Sequence, residues 1–147
     1  MIYLAADHGG AKLKAQLVPW LRERYGSVVI DLTPRPKAGD DYPRQSVALV
    51  QKMKKDSHAF GLAFCRSGVG MAMTINRFRD FRAVHADRAP VAQKARTDED
   101  ANVLALGGDL VSLATAKKII ATFLETEYAP VARYDRRIQE LRRYGQA

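Results

Sequence analysis

The sequence holds one cysteine, and its surroundings make it a candidate for chemistry. Cys65 closes an apolar run and is followed by Arg66-Ser67-Gly68-Val69-Gly70. A single cysteine in a small domain is most often buried and inert. Here it opens a Gly-rich turn leading into a helix, and a helix start offers unpaired N–H groups and partial positive charge. Those surroundings favour the thiolate, the reactive form of the side chain. Two glycines let N–H groups point at a ligand with no Cβ in the way, so residues 66–70 suit a phosphate or an oxyanion. A thiolate beside such a cradle is equipped to remove a proton next to a carbonyl. The sulfur takes the proton and the N–H groups hold the enediolate.

A second polar cluster, Asp7-His8-Gly9-Gly10, ends the first apolar run. It lacks the Gly-Lys-Ser/Thr ending of a Walker A loop and the GxGxxG spacing of a dinucleotide site. His8 reads equally well as a hydrogen-bonded structural residue. Towards the C-terminus, Arg133, Arg136, Arg137, Arg142 and Arg143 crowd one segment. Alone, that segment reads as a solvated helix face, and a nucleic-acid face is also open. Arg133 and Arg137 lie four apart, share a face, and suit a bidentate grip on phosphate. Three scattered histidines and one cysteine show no zinc spacing, so zinc is not expected.

These residues need a scaffold, and the hydrophobic pattern supplies one. Apolar runs at Ile2 to Ala6, Val28 to Asp31, Phe60 to Phe64, Arg82 to His85 and Val103 to Leu106 predict five strands. Amphipathic segments alternate with them. Leu13, Leu17, Trp20 and Leu21 mark the first helix, with Pro19 expected to kink or break it. Thr33 to Pro43 reads as a loop, and Pro43 as a helix first turn. Further helices are expected through Asn76, from about Pro90, around Leu113 to Leu124, and over 132–144. Such alternation predicts a Rossmann-like three-layer α/β/α fold on a five-stranded parallel sheet, one domain over residues 1–147. In that fold ligands bind at the carboxyl ends of the strands. Asp7-His8 and Cys65 to Gly70 are expected there, with Thr97 to Asp100 just before the fifth strand.

The whole chain sets the limits. Its 147 residues suit one core. Lys plus Arg number 24 against 16 Asp plus Glu, a formal charge of +8, which favours anionic partners such as phosphorylated metabolites. A lone cysteine forms no internal disulfide and suits a reducing compartment. MIYLAADHGG has no basic segment before its apolar run, so no signal peptide is expected. No apolar stretch reaches the roughly 18 residues of a membrane span. A cytoplasmic protein is expected.

Taken together these motifs resemble the ribose-5-phosphate isomerase B family, which includes the galactose-6-phosphate isomerase subunits. The resemblance rests on Ala6-Asp7-His8-Gly9, Asp41-Tyr42-Pro43, Cys65-x-Ser67-Gly68-Val69-Gly70, Asn76-Arg77-Phe78, Arg82-Ala83-Val84, Asn102-Val103-Leu104-Ala105 and the Arg133/Arg137 pair, in order along the chain. It implies a homodimer, or a tetramer built from it, with active sites at the subunit interface and helix 132–144 packed on the partner. The implied reaction is metal-free interconversion of an aldose phosphate and a ketose phosphate, such as ribose 5-phosphate and ribulose 5-phosphate, in the pentose phosphate pathway. Cys65 matches the base. Ser67 stands where threonine is usual and Arg66 where glycine is usual, with residues 66 to 70 forming the anion hole. Asp7 and Tyr42 fall in the substrate site. His8, Arg133 and Arg137 would bind phosphate, the arginines from the partner subunit. The family's ring-opening histidine aligns with Asp98, and the asparagine after it with Glu99. Asp109 stands at a further phosphate-binding arginine. Asp98 is ionised near pH 7 unless its surroundings raise its pKa.

Overall fold

The computed structural model describes residues 1–35 and 37–144. Pro36, part of the expected loop, and residues 145–147 of the expected domain lie outside them. The strands are β1 (Ile2–Ala6), β2 (Val29–Asp31), β3 (Phe60–Cys65), β4 (Ala83–His85) and β5 (Val103–Gly107). The helices are α1 (Ala11–Tyr25), α2 (Tyr42–Met53), α3 (Val69–Ile75), α4 (Ala89–Glu99), α5 (Leu113–Glu125) and α6 (Ala132–Tyr144). All strand pairs are parallel, in the order β2-β1-β3-β5-β4. This is the expected five-stranded α/β/α arrangement.

Both faces of the sheet are covered, which is why the strands read as unbroken apolar runs. Alternate side chains nevertheless serve different layers. Ile2, Leu4, Ala6, Leu62, Phe64, Leu104 and Leu106 pack under α1, α4 and α5 against Leu17, Leu21, Ala92, Ile119, Ile120 and Phe123. Tyr3, Ala5, Ala63, Cys65, Val103 and Ala105 pack under α2 and α3 against Leu49, Val50, Met53, Met71 and Ile75. Cys65 therefore faces the α2/α3 layer. The helix after β1 lies on one face and the helix after β3 on the other, so the chain parts between these adjacent strands. Such a switch point opens a crevice at the carboxyl ends.

Two expectations are corrected. Pro19 neither breaks nor ends α1, which runs fifteen residues through it. Proline removes one N–H donor, but Leu17 and Leu21 on either side are fully buried and hold the helix to the sheet. Val28 belongs to a short 3-10 turn, Gly26–Val28, and β2 starts one residue later.

Under the loop that follows β2 lies a buried ion pair. Lys14 on α1 is only 2% exposed, and its Nζ donates to Asp31 Oδ1 at 2.6 Å and to the Thr33 carbonyl at 2.8 Å. Thr33 Oγ1 in turn accepts the Ala6 N–H at 2.9 Å. The pair thus ties α1, the end of β2 and the end of β1 together just below Asp7. Removing one partner leaves the other charge buried alone. Asp31→Ala is expected to destabilise the protein by about 3–5 kcal/mol, while adding Lys14→Met to it recovers most of the loss. Urea unfolding of the two variants measures the difference.

Candidate functional site

Three turns meet at the carboxyl ends of β1, β3 and β5. They meet so closely that side chains do not fit between them. A Cβ on Gly10 would fall within 2.6 Å of the Cys65 backbone nitrogen, and one on Gly107 within 2.8 Å of the Ser67 carbonyl group. The contact is also laddered: Gly108 N–H donates to the Cys65 carbonyl at 2.8 Å, and Asp109 N–H to the Arg66 carbonyl at 3.1 Å. Cys65 is thereby fixed at the centre of the sheet, 4% exposed, next to the switch point.

Its Sγ accepts the Gly68 N–H at 3.0 Å. That geometry needs Gly68 in the left-handed region, at φ +79°, which an L side chain rarely adopts. Ser67 Oγ accepts the Val69 N–H at 3.3 Å, closing the turn and leaving the hydroxyl proton to donate elsewhere. The Tyr42 ring, at the start of α2, lies across Gly70, where a Cβ would come within 2.9 Å of it. From β4 the His85 ring packs on Gly68, and its Nε2 is a buried side-chain atom with no hydrogen-bond partner among the described residues. The sequence reading gave His85 no role.

Asp7 is 6% exposed, and its Oδ1 accepts the N–H groups of Gly9 at 2.8 Å and Gly10 at 3.0 Å. One of its oxygens is thus spent on holding its own turn. His8 Nδ1 lies 2.9 Å from the Asp40 carbonyl. A carbonyl only accepts, so Nδ1 carries the hydrogen and Nε2 is left out of this bond. Arg66 is exposed and reaches Asp109, Nη1 to Oδ2, at 3.2 Å. The sequence showed both residues but not their contact.

The structure does not bring Asp98 and Glu99 to Cys65 within one chain. They end α4, just before β5, whereas Cys65 pairs with Gly107 at the far end of β5. Four residue steps along the strand separate Val103 from Gly107, about 13 Å. At that end Arg82 donates to the Glu99 carbonyl at 2.8 Å and to the Asp100 carboxylate. Asp98 Oδ1 accepts Thr97 Oγ1–H at 2.7 Å, and Lys94 Nζ stands 3.6 Å from its other oxygen. The Thr97 hydrogen bond, with Lys94 and Tyr134 adding to it, holds the Asp98 carboxyl below the usual carboxylate range. Arg133 belongs to the same neighbourhood: its guanidinium covers the Tyr134 ring at 4.7 Å and donates to its hydroxyl at 2.9 Å. Arg137 follows one turn later on α6, exposed. A cavity of about 770 Å³ opens beside this group, walled by Phe78, Phe81, Val91, Asp98, Glu99 and Leu141. The candidate residues therefore form two sets, one around Cys65 and one around Asp98 and Arg133.

Among the described residues no cluster of His, Cys, Asp and Glu suits a metal ion, and no helix is long and apolar enough to cross a membrane.

The family model described as Ribose/Galactose Isomerase matches residues 2–141. The chain is 33% identical over 144 residues to a probable ribose-5-phosphate isomerase B of Mycoplasma pneumoniae, covering 97% of this chain and 93% of that protein. It is 30% identical over 128 residues to a D-erythrulose-4-phosphate isomerase of Pectobacterium atrosepticum, covering 86% and 84%. Among solved structures, a ribose 5-phosphate isomerase from Thermotoga maritima superposes with a TM-score of 0.91 at 32% identity, covering 97% of each chain. Ribose-5-phosphate isomerase B from Mycoplasma genitalium with bound ribulose-5-phosphate gives a TM-score of 0.89 at 33% identity, covering 97% of this chain and 94% of that one. With a cysteine turn at the switch point of a five-stranded parallel sheet and a match along nearly its whole length, the chain belongs to the ribose/galactose isomerase family.

Proposed function

We propose that the protein is a cofactor-free aldose–ketose isomerase of sugar phosphates, working as a cytoplasmic homodimer in pentose phosphate metabolism. The observation that carries the reading is Cys65 Sγ held as a hydrogen-bond acceptor at the head of the Ser67–Gly70 turn. Cys65 takes the proton from C2 of the open-chain aldose, and the C1 carbonyl oxygen becomes the enediolate oxygen. N–H groups of residues 66 to 70 hold that charge, and Ser67 hydrogen-bonds the substrate oxygens. A proton passes from the C2 hydroxyl to the C1 oxygen, the proton held by the sulfur is delivered to C1 as the C2 carbonyl forms, and the ketose leaves with the sulfur restored. Asp7 Oδ2 and Tyr42 contact sugar hydroxyls, and His8, as the imidazolium, donates its Nε2–H to the phosphate. Cys65→Ala is expected to abolish turnover and deuterium exchange at C2, followed by NMR, while leaving the fold intact. Unchanged exchange in that variant removes Cys65 as the base.

The two separated sets of residues support the dimer. A two-fold pair that lays the Asp98, Arg133 and Arg137 set of one subunit against the Cys65 set of the other completes two identical sites. α6 then packs on the partner, and Arg133 and Arg137 hold its phosphate. Cys65→Ala and Arg137→Ala are each expected to be nearly inactive alone. Co-refolded in equal amounts, half of the dimers carry one site with both residues intact, so activity returns to about a quarter of wild type. No recovery on mixing overturns the shared site.

A second reading, of the substrate, is favoured by Asp98. The carboxyl is held ionised, so it does not give a proton to a sugar ring oxygen near pH 7. Ribose 5-phosphate exists mostly as a furanose and must be opened. A four-carbon aldose 4-phosphate has its ring-closing oxygen esterified and reaches the site open. The likeness to a D-erythrulose-4-phosphate isomerase supports that substrate. The four-carbon pair is expected to exceed ribose 5-phosphate in kcat/KM by roughly tenfold, a barrier difference of about 1.4 kcal/mol. Asp98→His is expected to speed ribose 5-phosphate and to do little for ribulose 5-phosphate, which does not close to a furanose. A wild type fastest on ribose 5-phosphate, unimproved by Asp98→His, defeats this reading.

A further inference from the structure

The mouth of the Cys65 crevice carries a charge pair that the steps above leave unused. Across residues 7–10, 65–70 and 107–110, the three turns that frame the crevice, Arg66 is the only lysine or arginine. Its root lies against the β1 turn: a Cβ on Gly9 would come to 3.0 Å from Arg66 Cβ. Its head crosses to the β5 turn, where one nitrogen, Nη1, meets one oxygen of Asp109 at 3.2 Å. Arg66 thus touches all three turns. The hold is weak for two physical reasons. The side chains are 70% and 54% exposed, so water and salt screen the attraction. A guanidinium also presents five donors in a planar fork, and this contact uses one of them.

A phosphate monoester is a better partner for that fork than the carboxylate. It carries nearly two negative charges near pH 7 and three acceptor oxygens, and it takes Arg bidentately. We propose that Arg66 and Asp109 form a latch over the crevice: Asp109 holds the guanidinium in the free protein, and the phosphate of the substrate takes it over. Arg66 is then a phosphate ligand from the same subunit as Cys65. Asp109 is a positioning residue that keeps the arginine extended across the mouth and sets how strongly an anion must bind to displace it. The inference rests on the sugar-phosphate reading of the site and adds to it the residue that selects for the phosphate.

The test measures inorganic phosphate binding by titration calorimetry and sugar-phosphate turnover by NMR, on the intact protein. Arg66→Gln is expected to weaken phosphate binding roughly tenfold, as loss of a charged hydrogen-bonding partner does, and to raise KM far more than it lowers kcat. Arg66→Lys keeps the charge without the fork and recovers part of the loss. Asp109→Asn removes the competitor and is expected to tighten phosphate binding about threefold, the scale of an exposed ion pair. A purely structural Asp109 would not produce that gain. Both positions are exposed, so circular dichroism is expected to report wild-type folding in every variant. Unchanged phosphate affinity in Arg66→Gln overturns the latch, and so does weaker affinity in Asp109→Asn. If phosphate behaves as stated but no sugar phosphate is isomerised, the latch stands and the isomerase reading falls. If isomerisation proceeds with KM unchanged in Arg66→Gln, the latch falls and the isomerase reading stands.

Discussion

Close approach of backbone to backbone at three strand ends is the constraint on which the rest depends. Gly10 lies on the Phe64–Cys65 backbone, Gly107 on Ser67, and Gly108 on the Gly9 carbonyl. Any side chain at these positions would push the turns apart. The register between β3 and β5, with Cys65 opposite Gly107, continues beyond the strands through the bonds from Gly108 and Asp109. Cys65 is therefore placed by the sheet itself and not by its own turn. The turn adds only the left-handed Gly68, whose N–H reaches the sulfur. A site built on strand ends is stiffer than one built on a free loop, and proton transfer at carbon needs that stiffness.

The same architecture keeps Asp98 and Glu99 away from Cys65 within one chain. A helix that returns antiparallel to the strands must deliver its last residues to the amino ends of the sheet. α4 does so, and it takes Asp98 and Glu99 with it. The Arg82, Asp100 and Arg96 contacts then lock that end, with Asp100 Oδ1 accepting from Arg96 at 2.8 Å and Oδ2 from Arg82 at 2.8 Å. No rotation of a side chain carries Asp98 past the length of β5 to Cys65. The carboxyl-end rule for ligand sites thus holds for Asp7, His8 and the Cys65 turn, and it fails for the segment before β5.

Most of the scaffold was legible because each strand is a short apolar run ended by glycine or a polar cluster. β1 and α6 fall where their patterns place them, and the other boundaries move by a residue or so. Pro19 misled because propensity is local, whereas α1 is held by the burial of Leu13, Leu17 and Leu21. Within the site, Cys65, Asp7 and the glycines were legible from type and position. The contacts were not. Lys14 with Asp31, His8 with the Asp40 carbonyl, and Arg66 with Asp109 join residues 17, 32 and 43 positions apart, and no periodicity relates them. Lys14 in particular sits in an amphipathic pattern as an ordinary surface lysine, and only the fold shows it buried.

Charge supports the proposal that the two sets of residues belong together. The turns around Cys65 hold one arginine against two aspartates, Asp7 and Asp109. Asp7 is partly neutralised by two N–H groups, and Arg66 is spent on Asp109 until a ligand arrives. The turns around Cys65 therefore offer a dianion N–H donors and one arginine, with no surplus of positively charged side chains. α6 has the opposite balance, five arginines against Asp135 and Glu140. Only Arg142 among those arginines has an acidic partner among the described contacts, Asp80 at 2.6 Å. In the proposed dimer, α6 of one subunit over the Cys65 turns of another supplies positive charge and relieves repulsion among the arginines. In that proposed arrangement the α6 arginines, which alone read as a solvated face or a nucleic-acid face, have the sugar phosphate and the Cys65 turns of a second copy as their anionic partners.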